Sequence, residues 1–275
     1  MTELILAGPG RAGGAIALAA RRAGHRVVGV LARRAGTARA WAERLEASPL
    51  RWDLPLPTAD LLVTAVRDDA IGEVAARLSP HAGLVGAAVH LSGFAPLAAL
   101  DPFREAGLAV GSLHPLQTIP DPETGAAALT GAWAAVTAGS PGLARQLDAF
   151  AGSLGLRPFP LADPKRALYH AGTAAASNYL VGVLGLGKEL LAGAGVPFEA
   201  VRLLAEAIVA NVFELGPDRA LTGPVARGDL ATVAGHLAAV RQAAPELLDD
   251  FIALAQVTAR LAGRLPELAR VLEPR

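Results

Sequence analysis

The feature that most constrains this chain is a glycine-rich segment between an apolar run and a helix-forming run. Leu4–Ala7 predicts a buried β-strand, and it leads directly into Gly8-Pro9-Gly10-Arg11-Ala12-Gly13. Apolar residues at three- and four-residue spacing predict a helix over 11–23, and a second strand over 26–31 follows. Because parallel strands need a crossover connection, this strand–helix–strand unit predicts a parallel sheet.

The glycines of this segment have distinct expected roles in binding a dinucleotide. Gly8 permits the tight turn, Gly10 lets the backbone approach a pyrophosphate, and Gly13 lets the helix pack closely on the strand. The free N–H groups of the helix N-terminus also attract phosphate. The alternative is a glycine-rich turn that binds nothing. The predicted cofactor contacts of this turn are Gly8, Pro9, Gly10, Arg11, Ala12 and Gly13.

The end of the second predicted strand indicates which dinucleotide is bound. NAD-binding domains of this kind usually carry Asp or Glu about 20 residues after the glycine motif. Here Arg33, Arg34 and Thr37 occupy that place, and guanidinium groups bind phosphate through paired hydrogen bonds, which favours NADP. The alternative is two solvated arginines on a surface loop. Val66 and Arg67, at the end of a later strand, are also expected to border the cofactor.

Strand-like and helical runs alternate up to about residue 160, and only helical runs follow. The predicted strands lie near 3–7, 26–31, 60–66, 84–90, 108–112, 133–137 and 156–160, and the predicted helices at 11–23, 37–45, 69–78 and 141–154. We therefore predict an α/β Rossmann domain with a doubly wound, mostly parallel sheet over 1–162. An all-α domain over 163–275 is predicted to follow and to complete the substrate site.

Composition argues against several classes of partner and site. The 25 basic and 25 acidic residues form no run of like charge, which argues against nucleic acid. The absence of cysteine excludes disulfides, thiolate metal sites and thiol nucleophiles, and no metal site is expected. Since the N-terminus also lacks the features of a secretory signal, we expect a cytoplasmic protein with a small-molecule substrate.

Ala167–Gly187 contains no Asp, Glu, Lys or Arg and is long enough to cross a membrane. Its polar residues and four glycines argue against a membrane span, as does the lack of flanking aromatic belts. A helix buried between domains or subunits explains the segment better. We therefore expect a homodimer formed through the helical domain.

Polar residues follow the predicted strands at the sheet edge where ligands bind. Ser92, His114 and Gln117 follow two of them and are candidates to face the nicotinamide. His90 either lines the same cleft or is a hydrogen-bonded core histidine. Asp68 is expected to cap the next helix.

In the helical region, three- and four-residue spacing places His170, Thr173 and Ser177 on one helix face, with Asn178 at its margin. This stripe is either a satisfied network between helices or the second wall of an active site. A histidine that titrates near neutral pH can exchange the proton that accompanies hydride transfer. The predicted catalytic or orienting residues are His114, His170, Ser92, Ser177 and Asn178.

Farther on, Asp229 is a candidate cap for the helix that carries His236.

Several segments together resemble a known family. They are Gly8–Gly13, His90-Leu91-Ser92-Gly93, Ser112–Thr118, Tyr169-His170 with Ser177-Asn178-Tyr179, and Ala220–Pro224 with Arg227-Gly228-Asp229. The chain resembles the bacterial Rossmann-like proteins with a helical C-terminal domain of unknown function. That family is similar in layout to pyrroline-5-carboxylate reductase, ketopantoate reductase and the β-hydroxyacid dehydrogenases.

The resemblance implies an NADP-binding N-terminal domain, a helical domain that dimerises, and a cleft between them. With the residues above, it predicts an NADP-dependent oxidoreductase acting on a small carbonyl or imine substrate, with a ketopantoate-like compound the first to test. β-Hydroxyacid dehydrogenases use a lysine on the central helix, and neither Lys165 nor Lys188 matches it. The alternative is therefore an NADP-binding sensor or scaffold protein without turnover.

Overall fold

The computed structural model describes residues 1–272 of the chain. The chain divides into two compact units, Met1–Ala174 and Ala175–Arg275. The division comes later than the predicted boundary after residue 162. Side chains of the helix that begins at Arg166, among them Arg166 and Tyr169, are hydrogen-bonded to residues of the first unit, which holds the start of that helix there.

The first unit is built on one sheet of eight strands. They are β1 (Glu3–Ala7), β2 (Arg26–Leu31), β3 (Ser48–Pro49), β4 (Ala59–Thr64), β5 (Val85–His90), β6 (Ala109–Pro115), β7 (Trp133–Ala138) and β8 (Arg157–Pro160). Their order in the sheet is β3-β2-β1-β4-β5-β6-β7-β8. All neighbours are parallel except β6 and β7, which are antiparallel. From β1 the strands are added first toward one edge of the sheet, as β2 and β3, and then toward the other, from β4 onward. In such sheets ligands bind beyond the carboxyl ends of the strands at the position where this direction changes, here between β1 and β4.

Seven helices accompany this sheet in the sequence. They are α1 (Arg11–Arg22), α2 (Ala35–Leu45), α3 (Ile71–Leu78), α4 (Asp101–Glu105), α5 (Pro122–Ala128), α6 (Pro141–Ser153) and α7 (Arg166–Ala176). Because side chains alternate along a strand, Leu4 and Leu6 pack in one core cluster with α1 and α6, whereas Ile5 packs in a second cluster with α3 and α4. The sheet is thus covered on both faces, as a parallel sheet requires.

The predicted α/β class with a doubly wound, mostly parallel sheet is confirmed, and each predicted strand and helix has a counterpart within a few residues. The sequence did not predict β3, α4 or α5, nor the antiparallel pairing of β6 with β7. The missed elements are short, so they contain too few residues for a clear hydrophobic period.

The second unit is helical over its described residues, as predicted. Its helices are α8 (Asn178–Gly193), α9 (Arg202–Leu215), α10 (Pro217–Ala220), α11 (Pro224–Arg227), α12 (Leu230–Ala243), α13 (Leu248–Leu261) and α14 (Leu265–Leu272). Val233, Leu237, Ile252 and Leu268 form its core between α12, α13 and α14. No residue of α8 or α9 is buried in the single chain. Among residues 1–272, no helix has both the length and the apolar character needed to span a membrane.

Candidate functional site

The glycine turn between β1 and α1 is closely packed at two of its three glycines. Gly8 has a φ of +99°, which favours glycine, and a Cβ there would lie 2.5 Å from the Ala65 carbonyl oxygen. A Cβ on Gly13 would lie 2.4 Å from the Gly8 carbonyl oxygen. These contacts agree with the tight turn and the close helix–strand packing expected of Gly8 and Gly13.

Gly10 differs from both, because a Cβ there would meet nothing within 4 Å. It is the residue immediately before α1, whose first N–H groups have no acceptor within the helix. The open space beside Gly10 therefore adjoins hydrogen-bond donors and a positive helix end. This environment fits a phosphate group.

A cavity of about 720 Å³ opens beside this turn. The predicted cofactor residues that line it are Gly8, Pro9, Gly10, Arg33, Arg34, Thr37, Val66 and Arg67. The other three predicted contacts, Arg11, Ala12 and Gly13, are not among the lining residues. Arg11 is exposed, while Ala12 packs against the core and Gly13 is buried.

Trp52 and Arg77 also line the cavity wall, and sequence analysis selected neither of them. The Trp52 indole nitrogen donates a hydrogen bond to the Ala32 carbonyl oxygen at 3.0 Å, and the Arg77 guanidinium carbon lies 5.2 Å from the Trp52 ring centroid. Arg77 follows Glu73 by four residues on α3, and this spacing is typical of any exposed helix face. The sequence therefore contained no signal that Arg77 lines a cavity.

The charge of the cavity favours an anion. Four arginines and one glutamate line it, and one of these arginines, Arg67, is paired with Asp69 at 3.1 Å. Arg33, Arg34 and Arg77 contribute positive charge to a concave surface, which concentrates negatively charged ligands. The wall thus combines a tryptophan ring, phosphate-binding groups and an open glycine turn, the chemistry that a phosphorylated dinucleotide requires.

A second cluster of polar side chains lies at the end of β6. His114 Nδ1 and the Tyr169 hydroxyl oxygen are 2.7 Å apart, and the His114 and His170 ring centroids are 6.3 Å apart. The Phe94 ring lies 5.9 Å from that of His170. The structure therefore brings together the two histidines that sequence analysis selected as catalytic candidates, and it adds Tyr169 to them.

The environment of this cluster shifts the pKa values of both hydrogen-bonded groups, the His114 imidazole and the Tyr169 phenol. Burial lowers the pKa of His114 to about 4, and the nearby His170 and Arg166 contribute to this lowering. Burial raises the pKa of Tyr169 to about 12. The expectation that His114 titrates near neutral pH is therefore wrong, because a positive charge is poorly solvated there. At neutral pH His114 and Tyr169 are both uncharged.

Arg166, at the start of α7, is buried beneath this cluster and was not selected by sequence analysis. Its guanidinium donates hydrogen bonds to the carbonyl oxygens of Ser92 and Ala95 and to the Thr137 hydroxyl. The loop after β5 is further fixed by Asp163, whose carboxylate accepts a hydrogen bond from the Leu97 N–H at 2.9 Å. A buried guanidinium is stable only with such partners.

Ser92 lies in this loop and holds its turn. Its hydroxyl oxygen accepts hydrogen bonds from the N–H groups of Phe94 at 3.0 Å and Ala95 at 2.8 Å. The turn places Gly93 against the His114 ring, since a Cβ on Gly93 would lie 2.7 Å from His114 Cε1. Ser92 thus shapes the surface beside His114 through the backbone.

His90 occupies the core, which was one of its two predicted positions, but within residues 1–272 it lacks the hydrogen bonds that were predicted for it there. It is fully buried, and burial lowers its pKa to about 3. Neither ring nitrogen has a hydrogen-bond partner among the described residues. His90 is therefore part of the sheet interior and does not line the cleft.

The two predicted helix caps have different outcomes. Asp68 makes no capping hydrogen bond, because a short turn over Asp68–Ala70 precedes α3 and Ala70 occupies the capping position of α3, so that prediction is wrong. Asp229 does cap α12, since its carboxylate accepts a hydrogen bond from the Thr232 N–H at 3.1 Å.

The polar stripe predicted from His170 to Asn178 does not lie on one continuous helix. The backbone breaks at Ser177, with φ of −125° and ψ of −75°, so α7 ends at Ala176 and α8 begins at Asn178. Thr173 donates its hydroxyl hydrogen to the His170 carbonyl oxygen at 2.8 Å. Ser177 and Asn178 belong to the second compact unit.

Within residues 1–272, no cluster of three His, Asp or Glu side chains could hold a metal ion.

The fold is shared with solved redox enzymes. A Bacteroides fragilis protein provisionally named an NADP oxidoreductase is similar at 24% identity and a TM-score of 0.76, over 94% of this chain and 98% of that chain. A Streptomyces aurantiacus imine reductase is similar at 17% identity and a TM-score of 0.70, over 99% of this chain and 100% of that one. A reductive aminase from Aspergillus terreus, solved with NADPH and ethyl levulinate, is similar at 16% identity and a TM-score of 0.69, over 97% and 99%.

Comparison with protein families agrees with the resemblance noted in the sequence. No curated protein matches the chain. Residues 3–115 match the family described as a Rossmann-like domain, and residues 132–258 match the domain of unknown function DUF2520. The chain is therefore similar to a Rossmann-like domain over its first part and to the DUF2520 domain over its later part.

Proposed function

We propose that this protein is an NADP-dependent oxidoreductase that acts on a small carbonyl or imine compound. The observation that carries the proposal is the arginine-lined cavity beside the open space at Gly10. The similarity to an imine reductase and to a reductive aminase solved with NADPH supports it at the level of fold.

Each part of the cavity has a proposed partner on the cofactor. The Gly8–Gly10 turn and the start of α1 would hold the pyrophosphate, and Arg33 and Arg34 would hold the 2′-phosphate. Trp52, stacked with Arg77, offers a flat apolar surface for the adenine ring. The nicotinamide of bound NADP(H) would supply or accept the hydride.

His114 would donate a hydrogen bond to the substrate carbonyl oxygen or imine nitrogen. Because its pKa is about 4, it would act at neutral pH as an uncharged donor that polarises this bond. His170, whose ring lies beside that of His114, would orient the substrate. Roles for Ser177 and Asn178 rest on the sequence alone and stay predictions.

The proposal is tested by turnover on a panel of substrates, followed through the nicotinamide absorbance. The panel contains a ketopantoate-like 2-oxo acid first, then other 2-oxo and 3-oxo acids, aldehydes and cyclic imines, each with NADPH and with NADH. We expect NADPH-dependent turnover of at least one compound. His114→Asn should lower kcat by roughly 100-fold and leave the NADPH dissociation constant unchanged, because His114 acts on the substrate.

Two observations favour a second function, NADP binding without turnover. His114 and Tyr169 are both uncharged at neutral pH, and the chain has no lysine at the position used by β-hydroxyacid dehydrogenases. A sensor or scaffold protein would bind NADPH tightly and reduce no compound of the panel. That result would replace the oxidoreductase proposal.

We also propose that the protein forms a homodimer through its helical part. Tyr179, Val181, Leu203, Leu204 and Phe213 on α8 and α9 are 64–87% exposed in the single chain. Clusters of exposed large apolar residues mark interaction surfaces, and a symmetric dimer is the commonest assembly that covers them.

A further inference from the structure

We infer that Tyr169 is a positioning residue that holds His114 in the tautomer with its proton on Nε2, so that Nε2–H is the donor offered to a ligand. The tautomer itself follows from the hydrogen bonding of this chain. Its catalytic consequence rests on the proposed oxidoreductase function.

The direction of the hydrogen bond between the two side chains decides the tautomer. The Tyr169 hydroxyl oxygen and His114 Nδ1 are 2.7 Å apart, a distance typical of a well-formed bond. If Nδ1 carried the proton, it would donate to the phenol oxygen, and the phenol hydrogen would need another acceptor. Within residues 1–174, the bond to His114 is the only side-chain hydrogen bond of the Tyr169 hydroxyl. Donation by the phenol satisfies both groups at once.

A neutral imidazole has one protonated and one unprotonated nitrogen. Because Nδ1 accepts the phenol hydrogen, the imidazole proton lies on Nε2. Burial supports a neutral pair, since it lowers the pKa of His114 to about 4 and raises that of Tyr169 to about 12. Neither partner is therefore ionised at neutral pH, and the tautomer is well defined.

The packing around His114 also fixes the orientation of its ring. A Cβ on Gly93 would lie 2.7–2.9 Å from Cε1, Nδ1 and Nε2, so the Gly93 backbone lies directly against the ring. The Tyr169 ring meets the His114 ring edge-on, with centroids 5.7 Å apart, and contacts Phe159 at 6.1 Å on another side. A ring flip that exchanged the two nitrogens would separate Nδ1 from Tyr169.

The other ring nitrogen remains available. Within residues 1–174, Nε2 makes no hydrogen bond, and His114 is only partly buried. An N–H group in such a place can bind a carbonyl oxygen or an imine nitrogen. Tyr169 therefore determines which atom of His114 faces the ligand as a donor, although it need not touch the ligand itself.

The test is the nitrogen-15 NMR spectrum of histidine-labelled protein at neutral pH, because imidazole nitrogen shifts distinguish the two tautomers. The His114 signals are assigned by their loss in His114→Asn. We expect the native protein to have unprotonated Nδ1 and protonated Nε2 at His114. In Tyr169→Phe the Nδ1 acceptor bond is lost, and we expect both nitrogens to move toward the averaged shifts of exchanging tautomers.

The chain provides a matched control in Tyr179, its other tyrosine, because the hydroxyl that bonds His114 is that of Tyr169. Tyr179→Phe should leave the His114 signals unchanged. A native protein with the His114 proton on Nδ1, or a Tyr169→Phe spectrum identical to the native one, would overturn the inference. The native spectrum alone identifies the tautomer, so the test holds even if Tyr169→Phe folds poorly.

Kinetics separate this inference from the proposed function. If the protein turns over a compound of the panel, Tyr169→Phe should lower kcat by roughly tenfold and leave the NADPH dissociation constant unchanged. An unchanged kcat would contradict the catalytic consequence of the inference while leaving the proposed function intact. A native protein with the expected tautomer but no turnover would contradict the proposed function alone.

Discussion

Gly10 and Gly13 lie in the same turn, yet a side chain would meet opposite surroundings at the two positions. At Gly10 a Cβ points into open space, whereas at Gly13 it would be 2.4 Å from a backbone oxygen. A substitution at Gly10 therefore tests cofactor binding, whereas a substitution at Gly13 tests stability. A variant that replaced both glycines would not distinguish the two effects.

We expect Gly10→Val to weaken NADPH binding by at least roughly tenfold, about 1.4 kcal/mol, because the side chain would occupy the space proposed for the pyrophosphate. The melting temperature should stay close to that of the native protein. Binding is measured by nicotinamide fluorescence and stability by thermal unfolding. Gly13→Val is the contrasting variant and should unfold at a clearly lower temperature. Native affinity in a folded Gly10→Val protein would refute the phosphate role of this turn.

Arg33 and Arg34 test the choice of cofactor. Replacing both with alanine should raise the NADPH dissociation constant on the order of 100-fold, because each charge-assisted hydrogen bond contributes about 1.5–3 kcal/mol. NADH, which lacks the 2′-phosphate, should lose little affinity. Arg39→Ala is the control, since Arg39 is exposed on the adjoining helix α2 and does not line the cavity. Equal losses for the two cofactors would mean that these arginines are surface residues.

At the level of elements, the sheet carries a row of buried polar side chains across four neighbouring strands. Thr64 of β4 pairs in register with His90 of β5, His90 with Ser112 of β6, and Ser112 with Thr137 of β7. All four are buried, and Arg166 donates a hydrogen bond to Thr137 at one end of the row. This row places a titratable imidazole in the middle of the fold.

His90 should make the protein less stable in acid. Its pKa falls from 6.5 to about 3 on folding, chiefly through burial, with Arg166 and His114 adding to the effect. The unfolded chain therefore binds a proton more readily than the native protein between these two values. The contribution of uncharged His90 to the free energy of unfolding is therefore complete above about pH 6.5. This contribution is lost as the pH falls toward about 3.

The measurement is the free energy of unfolding in urea at about pH 7 and about pH 5. His90→Phe keeps a ring of similar shape but cannot titrate, so its free energy should fall less between the two conditions, by about 1.4 kcal/mol per pH unit at most. His236→Asn removes an exposed histidine of α12 and serves as the control. A pH dependence in His90→Phe equal to that of the native protein would contradict the argument.

At the scale of the whole molecule, the two compact units differ in how they bury their apolar residues. The sheet of the first unit is covered on both faces, whereas α8 and α9 of the second unit bury no residue in the single chain. Phe213 is 87% exposed and Leu203 is 78% exposed. Such side chains are costly to leave in water, so a second copy is the proposed partner.

We expect light scattering to report a dimer at micromolar concentration. The double variant Leu203→Glu with Phe213→Glu should be monomeric or a much weaker dimer, because charged groups are poorly tolerated in the centre of an interface. Gln242→Glu adds a charge to an exposed position of α12 and should stay dimeric. A native protein that is monomeric in this range would rule out the proposed assembly.

The sequence by itself determined the features that depend on neighbouring residues. Hydrophobic periodicity and local backbone preference predict the glycine turn, the longer strands and helices, the order of an α/β part before a helical part, and the cap at Asp229. The polar ends of β5 and β6 followed from the rule that ligands lie beyond the strands of a parallel sheet. These signals selected His114 and His170, which the structure brings together.

Only the tertiary structure decided the features that join distant parts of the chain. Tyr169 reaches His114 across 55 residues, and Arg166 reaches Ala95 across 71. The antiparallel pairing of β7, the Trp52–Arg77 stack and the low pKa of His114 likewise depend on which groups surround a residue in space. A pKa or a hydrogen-bond partner is set by burial and by neighbouring charge, and periodicity along the chain carries no information about either.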